Sequence, residues 1–567
     1  MEVGKVDDNK QLVFTLSLGY ILTTLITAYI YFFPTFINPL FSDILIVLGV
    51  LLLVSCLIYA SIKAKSSREV ALVLLGIMLL SILARSIPHL RLAYPPLADP
   101  YYYAISALNI IDYGTLQPIL TDWFGGIRAH LHWPMMHLFT AGAVKITGID
   151  SMWFFRFQQP LLGGIFALTV FALAKEVTRN NTIALLSALF ASLSDVVIYY
   201  QSEYHPQGFA GIVFVLFLYI YLKSRGTGRL RYYVLALVCV GAFVLSHHFS
   251  SLFIALLALG FIGLNHLISI LPQRIGRITQ VARELRADYN LWTIIAVGGL
   301  AYHFVGYSGL VRGFLRRFVE VSAEPSAALV AAGTGVPMLT TLLNSAKWGI
   351  FLLAIFSIVK VIRTPRPHQF RLLLLLACIL LAGFVGTYII WGPIDRMIVF
   401  YAPLVSIFAA MTVHRLFTLN RFSFRRTQVI RAATVLMVTL LLTAGFFNSS
   451  RVPAIYFKNS QVNNYYWYNN TLPRMNECKA AGEWTGLYIP GNSKIGTGWY
   501  TQAVPFFFGK RRHVNVIPSL YHPRRSVDYF MYEQSIKYSY EESKQLKYEN
   551  ELNMVYNNGE VKIYKWP

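Results

Sequence analysis

Thirteen apolar stretches, each near the roughly 17–25 residues that cross a bilayer core as a helix, leave this chain few folds to choose from. They lie at 11–33, 43–62, 69–87, 152–174, 182–200, 207–223, 231–246, 251–270, 291–310, 347–362, 371–391, 394–414 and 430–447. The expected class is therefore mainly α: a polytopic transmembrane helical protein. Composition agrees, with 56% hydrophobic and 13% charged residues, against roughly 25% charged in soluble proteins. Lys and Arg outnumber Asp and Glu by 49 to 26, an excess that in a soluble chain would suggest nucleic acid. Its placement removes that partner. With the N-terminus in the cytoplasm, the inward segments contain 24 basic and 7 acidic residues, and the outward segments before residue 448 contain 10 of each. That asymmetry is the positive-inside signature, and the surplus serves insertion and contact with anionic membrane lipids. No cleavable leader is expected, because the first apolar stretch is long enough to span and no small-residue cleavage site follows it. Cys56, Cys239 and Cys378 fall inside apolar stretches and Cys478 has no obvious partner outside them, so no disulfide framework is expected.

Residues 1–447 read as the transmembrane domain and 448–567 as a small soluble extracytoplasmic α/β domain. In the latter a helix near 474–486 precedes strand-like runs at 487–489, 513–517 and 553–565. The outer segment 88–151 contains two helical stretches, 101–112 and 133–147, and a second large outer loop covers 311–346. A short polar turn, Gln201 to Gln207, joins two spans on the same side.

Acidic residues at the outer surface are few, so each one counts. Asp99 sits in Leu97-Ala98-Asp99-Pro100-Tyr101-Tyr102-Tyr103, just after the third stretch. An Asp before Pro is also a favoured helix cap, and the two roles are compatible. Glu203 lies in Tyr199-Tyr200-Gln201-Ser202-Glu203-Tyr204-His205-Pro206-Gln207-Gly208. A turn that only reversed direction needs Gly, Ser or Asn; this one offers an acid, an imidazole at His205 and aromatic faces such as Tyr204, suited to a sugar. An interfacial tyrosine belt is the alternative. His247-His248, at the outer end of the seventh stretch, reads as a donor pair, a possible ligand pair or a satisfied interfacial pair. Arg396, in Trp391-Gly392-Pro393-Ile394-Asp395-Arg396-Met397, enters a span, where a guanidinium is costly unless paired or bound to an anion. Its fork suits a phosphate presented from the bilayer, and Arg312, Arg316 and Arg317 could add to such a site. A simple Asp395–Arg396 surface pair is the alternative.

The order of these features resembles the GT-C membrane glycosyltransferases, which use polyprenyl-phosphate-linked sugars. The resemblance rests on Asp99-Pro100-Tyr101-Tyr102 in the first outer loop, the Trp133-Pro134-Met135-Met136-His137 helical stretch, the acid-bearing turn two spans later, and an Arg entering a late span that continues to Pro403. It covers nearly the whole chain through short motifs. It implies that Asp99 and Glu203 are the first and second acidic motifs, that Glu320 or Glu324 is the outer-loop glutamate, and that Tyr101, Tyr204, His205, His247, Arg316 and Arg396 bind donor or substrate. The implied reaction moves a sugar from a lipid-linked donor to a glycan, lipid or protein acceptor at the outer face of a prokaryotic cell membrane. Metal use stays open: Asp99, Glu203 and His205 would suit Mn²⁺ or Mg²⁺, whereas members acting on simple hydroxyls are understood to work without one, and the balance falls slightly against a metal.

The chain departs from the oligosaccharyltransferase branch, since its Trp-Trp-Asp-Tyr-Gly acceptor signature is missing and two spans precede the usual first one. Transfer of a lipid-linked glycan to protein Asn is therefore the alternative within the class. A transporter is the rival outside it, but transporters place ionisable groups at mid-membrane depth, and here the acids cluster at the outer ends. A membrane scaffold with a partner-binding tail would leave Asp99, Glu203 and Arg396 without a role.

Overall fold

The computed structural model describes residues 39–91, 98–114, 133–202, 204–247, 249–271, 277–306, 338–389, 395–418, 424–448, 475–490, 493, 495–497, 516–518, 528–533, 553–557 and 561–565. For some of these, including Asp99, Tyr101 and Arg396, the backbone alone is described. Twelve of the thirteen apolar stretches fall on helices, and the first, 11–33, lies outside the described residues. In chain order the helices are α1 Pro39–Lys63, α2 Ser67–Arg91, α3 Ala98–Tyr113, α4 Met135–Thr147, α5 Ser151–Thr178, α6 Asn181–Ser192, α7 Asp195–Gln201, α8 Pro206–Thr227, α9 Leu230–Val244, α10 Ser250–Ile270, α11 Arg277–Glu284, α12 Tyr289–Gly306, α13 Met338–Arg363, α14 Pro367–Ile389, α15 Asp395–Thr418, α16 Phe424–Asn448 and α17 Met475–Tyr488. Six of those among the described residues are long and apolar enough to cross a membrane by themselves, which makes this an integral membrane protein.

One expectation changes. The stretch 182–200 is not one straight span: α6 and α7 are bent by 65° across Leu193-Ser194. Ser194 takes an extended conformation (φ −65°, ψ 125°) ahead of α7, and the Asp195 carboxylate accepts a hydrogen bond from Val196 N at 2.8 Å. Ser and Asp are helix-start residues because their side chains compete for backbone donors. An average over hydropathy hides that punctuation inside an apolar run.

The chain divides into two compact units: residues 1–91, 159–202 and 207–462 form one, and 92–158, 203–206 and 463–567 form the other. In the first, α15 packs against α6 and α13, and α10 against α12 and α14. Lipid is as apolar as leucine, so close packing and internal polar bonds hold such helices together. Phe400 on α15 illustrates this, with its ring 4.6 Å from Phe253, 5.4 Å from Phe214 and 5.7 Å from Phe243 between centroids. On the basic side of the same unit Asp288, fully buried, follows α11. Its carboxylate forms an ion pair with Arg225, whose Nε lies 2.5 Å away, and accepts hydrogen bonds from Arg371 Nε at 2.9 Å and the Tyr221 hydroxyl at 2.5 Å; the Tyr221 oxygen accepts from Trp292 Nε1 at 3.2 Å.

The second unit joins α3, α4 and the start of α5 to a five-stranded sheet. Its strands are β1 Ile495–Thr497, β2 Val516–Pro518, β3 Tyr529–Glu533, β4 Asn553–Asn557 and β5 Val561–Lys565, in the order β2-β1-β3-β5-β4. β1 pairs in parallel with β2 and β3, and β5 is antiparallel to β3 and β4. The expected run 553–565 is thus a hairpin, while 487–488 ends α17 rather than forming a strand. Ala481, Thr485 and Ile489 are buried at intervals of four, and Ile489 N donates to Thr485 O at 3.3 Å, a helical repeat that three apolar residues read alone do not reveal.

Replacing Asp288 with Ala leaves the Arg225 and Arg371 guanidiniums without their carboxylate. Removing one partner of a buried ion pair costs about 3–5 kcal/mol, so the variant should melt several degrees below the parent in detergent; an unchanged melting temperature contradicts the assignment.

Candidate functional site

The turn between α7 and α8 is built for close backbone approach. α7 ends at Gln201 and α8 begins at Pro206, a residue suited to a first helical position because its missing N–H would be unsatisfied there in any case. A Cβ on Gly208 would overlap the carbonyl of Tyr200, so only glycine lets the two helices close this tightly. One turn further along α8, a Cβ on Gly211 would overlap the Val399 side chain of α15. Val399 is three residues after Arg396, so in the first unit the Arg396 backbone stands at the end of α15 that meets the start of α8; α15 also touches α7.

Arg85 holds the bent pair from below. It lies in α2, fully buried, with its stem in the space left by Gly163 of α5. Its Nη1 donates to Ser192 O at 3.1 Å and to Ser81 O and Ser81 Oγ at 2.9 Å each, and its Nε donates to Gln201 Oε1 at 3.0 Å. Ser192 is the last residue of α6, whose final carbonyls have no partner within the helix. One guanidinium therefore caps α6 and ties down the last residue of α7, two positions before Glu203. Among the described residues it has no carboxylate partner. The sequence reading passed over Arg85 because it stood inside an apolar stretch; an arginine so placed is itself a functional signal.

Within the second unit, Tyr204 is held in place by its own set of partners. This side chain is fully buried, and its hydroxyl donates to Thr140 Oγ1 at 2.9 Å. The Thr140 hydroxyl lies 2.7 Å from Gln158 Oε1 and 2.8 Å from Met136 O, and His137 Nδ1 lies 3.4 Å from the Tyr204 hydroxyl. Burial raises the Tyr204 pKa, keeping it a donor, and lowers that of His137 to about 3, keeping the imidazole neutral. Phe155 packs edge-on against Tyr204 with ring centroids 5.1 Å apart. Tyr103 stacks on His137 at 6.4 Å and meets the edge of His205 at 5.4 Å. A buried polar chain from α4 and α5 thus fixes the residue that follows Glu203.

The expected site residues fall into three groups. Tyr204 and His205 are placed, with Tyr204 engaged in anchoring and the half-buried His205 packed against Tyr103. His247 is buried after α9, where its Nδ1 accepts from Phe249 N at 3.3 Å and so serves the start of α10. Asp99, Tyr101 and Arg396 are described by backbone only: Asp99 is the second residue of α3, where the helix dipole favours a carboxylate. Glu203, His248, Arg312, Arg316, Arg317, Glu320 and Glu324 lie outside the described residues. Thr140 and Gln158, unmarked in the sequence reading, prove to be the partners of Tyr204.

Comparison with known proteins bears on this arrangement. Residues 131–277 match the family model described as dolichyl-phosphate-mannose-protein mannosyltransferase, a segment that holds α4 to α10 and the Glu203 turn. Among curated proteins nothing matches. Among solved structures, the oligosaccharyltransferase of Archaeoglobus fulgidus tethered to an acceptor peptide aligns with TM-score 0.53 and 13% identity, over 81% of this chain and 69% of that one. The chain has a GT-C fold. ArnT from Cupriavidus metallidurans bound to undecaprenyl phosphate is also similar, with TM-score 0.48 and 11% identity over 87% of this chain and 97% of that one. The alignment with the Archaeoglobus enzyme meets the resemblance inferred from the short motifs at the level of fold.

Arg85→Met keeps the volume and removes the donors. A hydrogen bond from a charged group contributes about 1.5–3 kcal/mol, so amide exchange across 195–202 should quicken about tenfold to a hundredfold while the rest of α2 and α5 stays protected. Unchanged exchange in that segment would show that Arg85 does not hold the bend.

Proposed function

We propose that this protein is an inverting glycosyltransferase that moves a sugar from a polyprenyl-phosphate-linked donor to a glycan, lipid or protein acceptor at the outer face of a prokaryotic membrane. The observation that carries the reading is the mannosyltransferase-family match over 131–277, because it contains the turn bearing Glu203 together with the helices that anchor it. The GT-C fold supports it independently. The lipid-linked donor reaches the site from the bilayer, and the outer helix ends supply a place where an apolar carrier and a polar acceptor meet.

In this mechanism the Asp99 carboxylate takes the proton from the acceptor hydroxyl while that oxygen attacks the anomeric carbon. The bond from that carbon to the phosphate oxygen breaks, and the lipid phosphate leaves with the electron pair. Arg396 at the start of α15 stabilises the charge gathering on it. One displacement inverts the anomeric centre; retention by double displacement would need a second carboxylate as nucleophile. Glu203 and His205 orient the acceptor, with Arg316, Tyr101 and His247 as further contributors to binding. The carboxylates of Asp99 and Glu203 with His205 have the donor chemistry for Mn²⁺ or Mg²⁺, and no step of the proposed transfer is routed through a metal.

Transfer to protein Asn is the second reading, favoured by the fold shared with the Archaeoglobus enzyme. The missing Trp-Trp-Asp-Tyr-Gly signature weighs against it.

Purified protein incubated with a panel of radiolabelled polyprenyl-phosphate sugars should release the lipid phosphate and label an acceptor; failure with every donor would reject the reading. Asp99→Asn should lower turnover by about 10²–10⁴-fold with melting near the parent's, and retained turnover would remove Asp99 from the role of base. Arg396→Ala should lower transfer by about 10²–10³-fold, with weaker donor binding and unchanged acceptor binding. Equal loss for both substrates would count against a phosphate contact.

A further inference from the structure

Charge on the basic side of the first unit is divided unevenly. Where acids occur they are used: Asp288 takes Arg225 and Arg371, and Glu176 takes Arg179 at 2.7 Å and Lys223 at 3.4 Å. Beyond them the neutralisation stops. From Glu324 to Asp395 and again from Asp395 to Glu477 the sequence contains no acidic residue, yet besides the paired Arg371 the inward ends of α13 to α16 carry Lys360, Arg363, Arg366, Arg415, Arg425, Arg426 and Arg431. Lys360 and Arg363 close α13, Arg366 stands just before α14, and Arg415 is in the last turn of α15. α13, α14 and α15 pack against one another, which gathers these helix ends in one place. Among the described residues none of these four is ion-paired. Like charges gathered this way repel one another unless an anion sits among them.

A second observation says what kind of anion. Trp348, Leu352 and Phe356 follow one another at intervals of four along α13 and are 61%, 59% and 68% exposed. The next positions on that stripe are Lys360 and Arg363. From Trp348 to Lys360 the helix rises about 18 Å at ~1.5 Å per residue, close to half of the ~30 Å hydrocarbon core. An apolar stripe one leaflet deep that runs into a cationic cluster matches an acyl chain continued by a phosphate headgroup, and a free anion would make no use of the stripe.

We propose that the inward ends of α13, α14 and α15 form a binding site for an anionic phospholipid of the cytoplasmic leaflet, its headgroup among Lys360, Arg363, Arg366 and Arg415 and one acyl chain along Trp348, Leu352 and Phe356. The site is independent of the sugar-transfer reading and stands at the opposite end of α15 from Arg396.

The test uses the full-length protein, delipidated in detergent and placed in nanodiscs of phosphatidylcholine alone or mixed with phosphatidylglycerol, with bound lipid read by native mass spectrometry and stability by thermal melting. The parent should retain phosphatidylglycerol and melt higher in the mixed discs. Each basic contact to an anionic surface is worth a few-fold in affinity, so the triple variant Lys360→Gln, Arg363→Gln, Arg366→Gln should bind phosphatidylglycerol roughly a hundredfold more weakly. A control triple variant on the same side, Lys63→Gln, Lys65→Gln, Arg68→Gln, should retain the lipid; equal loss there would show a general surface-charge effect and overturn the site. Stabilisation by inorganic phosphate equal to that by the lipid would overturn the headgroup assignment. Should the triple variant not fold, Arg366→Gln alone, in the exposed connection, should weaken retention about fivefold, and undiminished retention would reject the proposal.

Discussion

Hydrocarbon supplies no hydrogen bonds, so a helix that stops inside or at the edge of a bilayer must find partners for its last carbonyls within the protein. At Ser192 the chain stops and turns by 65°, and the donors come from Arg85. A lysine would deliver three donors from one point; the guanidinium delivers them in a fork, which lets one side chain reach Ser81, Ser192 and Gln201 together. The geometry of the bend between α6 and α7 follows from that reach. The bend would leave unsatisfied backbone without it, and the tight closure at Gly208 keeps the end of α7 and the start of α8 in contact.

Two kinds of buried charge are thereby present, and they differ in chemistry. Asp288 is surrounded by two guanidiniums and a phenol, a dense ionic knot that ties three helices at the basic end. Arg85 is satisfied mainly by neutral oxygens, which compensate its charge less fully than a carboxylate would. The first arrangement favours rigidity. The second leaves a less fully compensated charge beside the last residue of α7.

Helix positions could be read closely from hydropathy because apolar length is what a bilayer demands, and twelve stretches fall on helices within a few residues. Interruption was harder to see. Leu193-Ser194 is a two-residue break inside an otherwise apolar run, and it changes direction without changing average polarity. The site shows the same contrast. Asp99, Glu203 and Arg396 announce themselves by being charged where few charges occur, whereas Thr140 and Gln158 look like any polar residues of a loop and a helix start. Their part emerges only when α4 and α5 bring them to the Tyr204 hydroxyl. In the tail, short apolar runs do not choose between helix and strand by themselves; 487–488 went to the helix because its neighbours at 481 and 485 repeat with a helical period.

The path of the chain through its two units has a practical bearing on protein engineering. The four residues Glu203 to Pro206 belong to the unit that also contains 92–158 and 463–567, although they are flanked on both sides by the other. A chimera made by exchanging only residues 463–567 with those of a relative would import one of three pieces and leave the native 92–158 and 203–206 beside it. Exchanging that unit as a whole therefore calls for three replacements made together, the smallest of them only four codons long.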